Sequence, residues 1–258
     1  MSEGLTGSGV EGGSDAPNSD RNLLEVCCED NSALGQCTAE SKGCEILRIT
    51  EKRDLLKDRT FNESVRFIRK DGCTLAWVAI PCTGGSVLQF ASRHHPNAQK
   101  RLGKHLRKFR LLWKRAVELM TAVMKAGGLV VIEWPTSCLY WHYRDVKRFL
   151  RDNQFHTVNI HGCAFGMRNK DGDIVLKPWK IASSSTTVTT GLDSYKCTKD
   201  HPHAELHGGH TKRSSSYPPR MAAKVHQLFS QYCDDKVWEE QRPDRPTYQK
   251  RTKRSSAA

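Results

Sequence analysis

The residues Thr74-Leu-Ala-Trp-Val-Ala-Ile80 run directly into the turn Pro81-Cys82-Thr83-Gly84-Gly85-Ser86. An apolar, β-branched run bounded by glycine and proline is typical of a buried strand. Adjacent glycines after a proline do not continue as a helix. The pattern therefore predicts Cys82 at the carboxyl end of a strand. In open α/β sheets, that edge is where ligands bind and where chemistry takes place.

A second strand of the same kind, Gly128-Leu-Val-Val-Ile132, leads into Glu133-Trp134-Pro135. Cys82 is a candidate nucleophile if its surroundings lower the pKa of the thiol; the alternative is a small buried hydrophobic residue. Glu133 ends an apolar strand, where burying a carboxylate is costly without a partner or a role. A raised pKa would let Glu133 donate a proton, whereas the alternative is a carboxylate held by a neighbouring amide or arginine.

Strand and helix patterns alternate along the rest of the chain. Apolar segments typical of strands lie at residues 23–28, 44–50, 155–160 and 179–182, and helical patterns lie at 60–70, 102–124, 142–152 and 218–232. Asp171-Gly-Asp173 predicts a hairpin turn that leads into a strand at Ile174-Val-Leu176. This alternation predicts an α/β fold with a mostly parallel, doubly wound (Rossmann-like) sheet covered by helices.

The composition of the 258 residues divides the chain into a folded middle and two tails. Residues 1–21 are rich in Gly, Ser and acids, and residues 235–258 are Pro-rich and basic, so we expect both tails to be disordered. Residues 22–234 form the expected α/β domain, with 197–217 as a Cys/His-rich insert or loop. The net charge of +13 favours a polyanionic partner, most simply nucleic acid; the alternative is a basic tail on a neutral fold.

The cysteine pattern and the hydropathy indicate an intracellular protein. Ten cysteines at irregular spacings do not form the pattern of a secreted disulfide framework. The N-terminus lacks the basic and then apolar pattern of a signal peptide, and no apolar run reaches the roughly 20 residues that cross a bilayer. We therefore expect reduced thiols, no membrane partner, and a location in the nucleus or wherever the nucleic-acid target lies. The sequence leaves the oligomeric state open.

Two further groups of side chains have ligand-binding chemistry. Cys197, His201 and His203 are residue types that bind zinc, with Cys163 as a distant fourth ligand; the alternative is a polar surface loop. The long helix has a run of cations with no acid before Glu118, which is typical of a phosphate-contacting face; the alternative is an ordinary solvated helix. The candidate nucleic-acid contacts on this helix are Lys100, Arg101, Lys104, Arg107, Lys108, Lys114 and Arg115.

Acidic and small residues mark the ends of the first two predicted strands. In a doubly wound sheet, an acid at the end of the second strand reaches a ribose hydroxyl pair, and the first turn approaches the cofactor closely. Acids at strand ends are also common as helix caps, which is the alternative. The candidate cofactor residues of this region are Glu25, Asp30, Asn31, Gly35, Glu51 and Asp54.

In this order, the motifs resemble the cytosine-C5 DNA methyltransferase branch of the class I S-adenosylmethionine-dependent methyltransferases. The likeness is to the short, divergent forms of phage and mobile elements. The segment from Leu24 to Gly35 is similar to the family's cofactor segment, Pro81-Cys82 to its nucleophile loop, and Glu133-Trp134-Pro135 to its Glu-Asn-Val or Glu-Asn-Pro signature. The stretches 162–166 and 177–179 are similar to downstream motifs of the short forms.

The resemblance implies a sheet of the class I methyltransferase type, S-adenosylmethionine as cofactor and cytosine C5 of DNA as target. Cys82 would add to C6 of a flipped-out cytosine while Glu133 holds or protonates N3, and C5 would then take the methyl group. Glu51 would bind the ribose, and Asp54 and Pro81 would line the cofactor pocket.

The resemblance also makes Lys177, in the downstream motif, a further candidate contact to nucleic acid. Trp134 stands in place of the asparagine that in the family helps to position the nucleophile loop. The alternative to an active enzyme is therefore a catalytically degenerate protein of a mobile element that binds nucleic acid.

Overall fold

The structure, a computed structural model, describes residues 21–36, 39–204 and 216–241. The predictions of disorder for the first 20 residues and for the basic tail after residue 241 lie outside the described residues. The strands are β1 (Arg21–Val26), β2 (Cys44–Ile49), β3 (Cys73–Val78), β4 (Leu129–Pro135), β5 (His156–His161) and β6 (Pro178–Ser183). The helices are α1 (Asp58–Ile68), α2 (Val87–Ala91), α3 (Pro96–Lys125), α4 (Arg144–Asp152), α5 (Thr186–Leu192) and α6 (Pro219–Gln241).

Each of these six strands was predicted, but four details differ. The short helix α2 was not predicted. The predicted strand at Ile174-Val-Leu176 is only an isolated bridge between Arg168 and Ile174. The helix α5 was not predicted, because its threonine-rich sequence has low helix propensity; the Ser185 side chain caps it by accepting a hydrogen bond from the amide of Thr187. Helix α6 extends to Gln241, beyond residue 234 where we expect the domain to end.

The α/β fold with mostly parallel strands is confirmed, since β1, β2, β3 and β4 pair in parallel. The expectation of a doubly wound Rossmann-like sheet of the class I methyltransferase type is wrong, because the sheet is mixed. Its strand order is β2-β1-β3-β4-β6-β5, and β6 runs antiparallel to both of its neighbours. His161 pairs with Pro178, so residues 162–177 form the loop of a hairpin between β5 and β6. A parallel return requires a crossover, usually an α-helix. This loop contains only a short 3₁₀ turn at Gly162–Phe165, so the chain turns back antiparallel.

Two hydrophobic cores cover the two faces of the sheet, because successive residues of a strand point to opposite sides. Leu24, Ala76 and Val130 belong to the core that includes buried side chains of α1, α3 and α4. Leu23 and Leu75 belong to the other core, with buried side chains of α5 and α6. Each large apolar side chain buried in this way contributes about 1.5–3 kcal/mol.

The parallel pairing of β1, β3 and β4 brings their carboxyl ends to one edge of the sheet. Glu25 of β1 pairs with Trp77 of β3, which pairs with Val131 of β4. Glu133 lies two residues beyond Val131 and therefore on the same face. In the part of the chain that the structure describes, no helix combines the length and apolar character needed to cross a bilayer.

Candidate functional site

The nucleophile loop follows β3 and is packed tightly against the chain that follows β4. Cys82 is half-buried and begins a 3₁₀ turn at Cys82–Gly85. A Cβ atom on Gly85 would lie 2.6 Å from the Sγ of Cys138, and one on Gly84 would lie 2.5 Å from the Oη of Tyr140. The two glycines are therefore required by close approach, which brings the Cys82 turn beside the strand that ends at Glu133.

Trp134 holds the start of this loop. Its indole nitrogen donates a hydrogen bond of 2.7 Å to the carbonyl of Ile80, the residue directly before Pro81. The ring is fully buried and lies 4.8 Å from that of Trp141 and 5.9 Å from that of Trp113. Trp134 thus anchors the loop that begins at Pro81 to β4.

Glu133 is buried, with 6% of its surface exposed, and is held by an aromatic pair. The hydroxyl of Tyr217 donates to its Oε2 at 2.8 Å, and the indole nitrogen of Trp77 lies 3.0 Å from that hydroxyl. An indole N–H can only donate, so the hydroxyl accepts from Trp77 and turns its own hydrogen to Glu133. Because Oε2 accepts this bond, Oε1 is the oxygen left to present a proton to a ligand when Glu133 is neutral.

The charges of Glu133, Cys82 and Lys177 act on one another. Burial raises the pKa of Glu133 to about 7, against the opposing effects of the Tyr217 hydrogen bond and the Lys177 charge. Burial and then Glu133 raise the pKa of Cys82, while Lys177 lowers it. Burial lowers the pKa of Lys177, while Glu133 and Cys82 raise it. The expected lowering of the Cys82 pKa is therefore wrong for this arrangement, because desolvation outweighs the nearby cation.

The first predicted cofactor residue, Glu25, is held by protein groups. It is fully buried, accepts a hydrogen bond from Ser32 and lies 3.9 Å from the Nε of Arg48. Burial raises its pKa. The guanidinium of Arg48 also donates to the carbonyls of Asp30 and Gly35. Arg48 therefore fills the space between β1 and the turn that was expected to approach the cofactor.

The other predicted cofactor residues do not gather around a common cavity. Asp30 forms an ion pair with Lys52 at 2.6 Å, and Asp54 accepts a hydrogen bond from the amide of Leu56. Glu51 and Asn31 are exposed. Pro81 lines a shallow groove, and none of the six other candidate cofactor residues contributes to that groove. These residues, in this arrangement, do not fit S-adenosylmethionine.

The basic helix α3 lies beside the nucleophile loop. Among the described residues, the shallow groove is lined by Pro81, Thr83, His105, Lys108, Phe109 and Leu112. Six of the predicted nucleic-acid contacts on α3 are exposed, namely Lys100, Arg101, Lys104, Arg107, Lys108 and Lys114.

Two predicted nucleic-acid contacts have protein partners instead. Arg115 pairs with Asp58 and lies 4.4 Å from the centre of the Phe61 ring. Lys177 is half-buried near Glu133 and Cys82. Both side chains are half-buried, so they are less accessible to phosphates than the six exposed cations, and the phosphate contacts at these two positions stay predictions.

The predicted Cys/His ligands do come together, so the side chains of this cluster could hold a metal ion. The ligand atoms of Cys163, Cys197, His201 and His203 all lie within 4.8 Å of one another. The Sγ of Cys197 lies 3.4 Å from Nε2 of His203 and 3.8 Å from Nε2 of His201. Tetrahedral zinc with ordinary bond lengths separates a sulfur from a nitrogen ligand by about 3.6 Å.

The residues around this cluster orient its ligands. Asp200 lies 2.6 Å from Nδ1 of His201, which leaves Nε2 facing the other ligands. A carboxylate on the far nitrogen is the usual outer partner of a metal-binding histidine. The amide of Lys199, whose φ is 64°, donates to the Sγ of Cys197 at 3.3 Å.

Several residues that form the site carry no recognisable signal in the sequence. Tyr217 and Asp200 lie outside any motif, and Trp77 is one residue of the apolar run that predicts β3. Tyr217 meets Glu133 and Trp77 only through folding. No protein-family model, curated protein or solved structure matches this chain. The function must therefore be inferred from the chemistry of the site.

Proposed function

We propose that this protein is a methyltransferase-like protein that acts on nucleic acid and holds a cytosine base of DNA between Cys82 and Glu133. One observation carries the proposal: Cys82, Glu133 and Lys177 come from distant parts of the chain and share one electrostatic environment, in which Glu133 titrates at about 7. Perturbed pKa values of neighbouring groups are typical of functional sites.

The chemistry follows from the proton positions. A neutral Glu133 would donate its Oε1 proton to N3 of the base. The Cys82 thiol would lose its proton to solvent, and the thiolate would form a bond to C6 while the electron pair of the C5=C6 bond shifts toward N3, which keeps the Glu133 proton. Lys177 would balance the carboxylate that remains.

The exposed cations of α3 support a nucleic-acid partner. Lys108 shares the groove with Pro81 and Thr83, so the basic face begins next to the nucleophile loop. Lysine and arginine on phosphates provide affinity and position a duplex, without reading its sequence. A flipped base beside this face would enter the region between Cys82 and Glu133.

A second candidate function is binding of nucleic acid without methyl transfer. S-adenosylmethionine would supply a methyl group to C5, but the residues around Arg48 do not fit it, so we derive no step through it. The raised pKa of Cys82 also favours this second candidate.

Covalent trapping separates the two candidates. The full chain is incubated with a duplex that contains 5-fluorocytosine, with and without S-adenosylmethionine, and compared with Cys82→Ser and with the control Cys44→Ser on β2. Methyl transfer predicts a denaturation-resistant adduct that requires both the cofactor and Cys82. Binding without an adduct supports the second candidate, and absence of DNA binding contradicts both.

We also propose that the metal of the Cys/His cluster is zinc. Two thiolates and two imidazoles at tetrahedral spacing are the ligands of structural zinc sites, in which four protein groups leave no open position. We expect one zinc per chain by elemental analysis, retained in Cys44→Ser and lost in Cys197→Ser. A disulfide between Cys163 and Cys197, in place of bound zinc, in the protein expressed with zinc and purified without a chelator would contradict this assignment.

A further inference from the structure

The metal-ligand cluster is connected by backbone hydrogen bonds to the short segment 174–177. Gly162, which precedes the ligand Cys163, donates its amide hydrogen to the carbonyls of Leu176 at 2.7 Å and Lys177 at 3.0 Å. Ala204, which follows the ligand His203, donates to the carbonyl of Ile174 at 2.8 Å. Both ends of the segment are thus held by residues next to ligands.

Lys177 has a backbone conformation that needs such support. Its φ is 24°, in the left-handed region, and the residues before it belong to no strand or helix. A residue in this region is strained and persists only where its surroundings hold it there. The hydrogen bonds from Gly162 and Ala204 hold the backbone of the 174–177 segment in this conformation.

The side chain of Lys177 extends from this segment toward the site. Its Nζ lies 5.2 Å from the centre of the Trp179 ring, and that ring lies 6.0 Å from the ring of Tyr217, whose hydroxyl donates to Glu133 at 2.8 Å. At this place the charge of Lys177 acts on both Cys82 and Glu133. The conformation of the 174–177 segment therefore sets where this cation lies relative to the two groups.

We infer that the metal ion bound by Cys163, Cys197, His201 and His203 is a positioning device, which holds the 174–177 segment so that Lys177 faces Cys82 and Glu133. The inference rests on the zinc assignment proposed above. Lys177 is here a positioning residue that tunes its two neighbours. Loss of the metal would release Gly162 and Ala204 from their fixed places, and the cation would no longer be held beside Cys82.

The test uses the alkylation of Cys82 by iodoacetamide as a function of pH, resolved by peptide mass spectrometry in the full chain. In the zinc-loaded protein, Lys177→Met should shift the midpoint of the Cys82 profile upward by about one pH unit, because an opposite charge is lost. Chelation of zinc from the wild-type protein should cause a similar upward shift of the midpoint, and chelation of zinc from Lys177→Met should cause no further shift. The control Lys170→Met, in the same hairpin loop, should leave the profile unchanged.

Each outcome bears on one part of the inference. Loss of zinc without a shift of the Cys82 midpoint would overturn the coupling between the metal and Cys82. If chelation shifts the midpoint as much in Lys177→Met as in the wild type, Lys177 does not carry that coupling. Absence of bound zinc would overturn the metal assignment itself. Cys138 is buried, so its alkylation reports on unfolding. If chelation exposes Cys138, the comparison uses the variant His203→Cys, which keeps four zinc ligands. Loaded with zinc, this variant should have the same Cys82 profile as the wild type.

Discussion

The proton of Glu133 is directed by two aromatic residues. Trp77 donates to Tyr217, and Tyr217 donates to Oε2 of Glu133, so Oε1 is the oxygen left to present a proton to a ligand. A carboxylic acid with a fixed donor oxygen suits a role that presents one proton to one ring nitrogen. Tyr217 is therefore as important to the site as Glu133 itself.

Replacing Tyr217 with phenylalanine should raise the pKa of Glu133 above about 7, because the lost hydrogen bond opposes the effect of burial. The unpaired Trp77 N–H should also destabilise the fold by about 1–3 kcal/mol. Infrared titration of the carboxyl band, with Glu133→Gln as the reference, measures the first effect. Tyr195→Phe, whose ring stacks on Phe165 at 4.2 Å, is the control. A band that still titrates at the wild-type pH would contradict the proposed role.

Trp134 packs in the core and donates a hydrogen bond to Ile80, and a variant can remove the second contribution while keeping most of the first. Trp134→Phe should keep most of the packing and lose the bond to Ile80, at about 1 kcal/mol. Amide hydrogen exchange of the Cys82–Gly85 turn should then become faster. Trp113→Phe, in the same aromatic cluster, should leave exchange in this turn unchanged. Equal acceleration in both variants would indicate general loosening of the core and not loss of an anchor.

At the scale of elements, α3 joins the core to the basic surface. Its buried side chains, among them Phe109 and Trp113, pack against the sheet, while eight of its lysines and arginines are exposed. The helix starts after the nucleophile loop and ends before β4, so it connects the two strands that carry Cys82 and Glu133. The same element therefore supports the site and presents charge beside it.

The double variant Lys104→Ala and Lys108→Ala should weaken DNA binding and reduce its salt dependence. Each lost phosphate contact lowers the slope of log K against log salt by about 0.9, so we expect a decrease of about 2. Lys196→Ala, which removes an exposed lysine paired with Asp193, is the control. The binding isotherms at several salt concentrations give the slope, and an unchanged slope would place the phosphate contacts elsewhere.

At the scale of the whole molecule, the buried Glu133 makes stability depend on pH. Its pKa in the folded state, about 7, lies above its ordinary value of 4.5. Its contribution to the free energy of unfolding is therefore fully present at low pH and is lost as pH rises toward and through 7. Above that range, the fold must keep an anion buried.

Glu133→Gln should remove this dependence. The stability of the variant relative to the wild type should rise between about pH 5 and pH 7, by at most about 1.4 kcal/mol for each pH unit, and then level off. Urea unfolding at several pH values measures the difference. Glu51→Gln, at an exposed position, is the control. Parallel curves for wild type and Glu133→Gln would show that Glu133 titrates alike in folded and unfolded states.

The elements with strong local patterns were predictable. The apolar run before Pro81 predicts β3, and the three- and four-residue spacing from Leu102 to Met124 predicts most of α3. The antiparallel placement of β6 was not predictable in this way, since alternation of apolar residues does not record strand direction. Two signals for it were available: no helical pattern occurs between residues 162 and 177, and Asp171-Gly-Asp173 in that segment predicts a hairpin turn.

From the sequence alone, one can derive which residues enter strands and helices and that Cys82, Glu133 and the Cys/His ligands have reactive or ligand-binding chemistry. These conclusions depend on residue type and on neighbours within a few positions. Other features depend on packing between distant segments. They are the contact of Tyr217 with Glu133, the half-buried position of Lys177, the place of Arg48 between Glu25 and Gly35, and the hydrogen bond from Trp134 to Ile80. Long-range packing sets which groups meet and how far burial shifts their pKa values, and no local pattern in the chain encodes it.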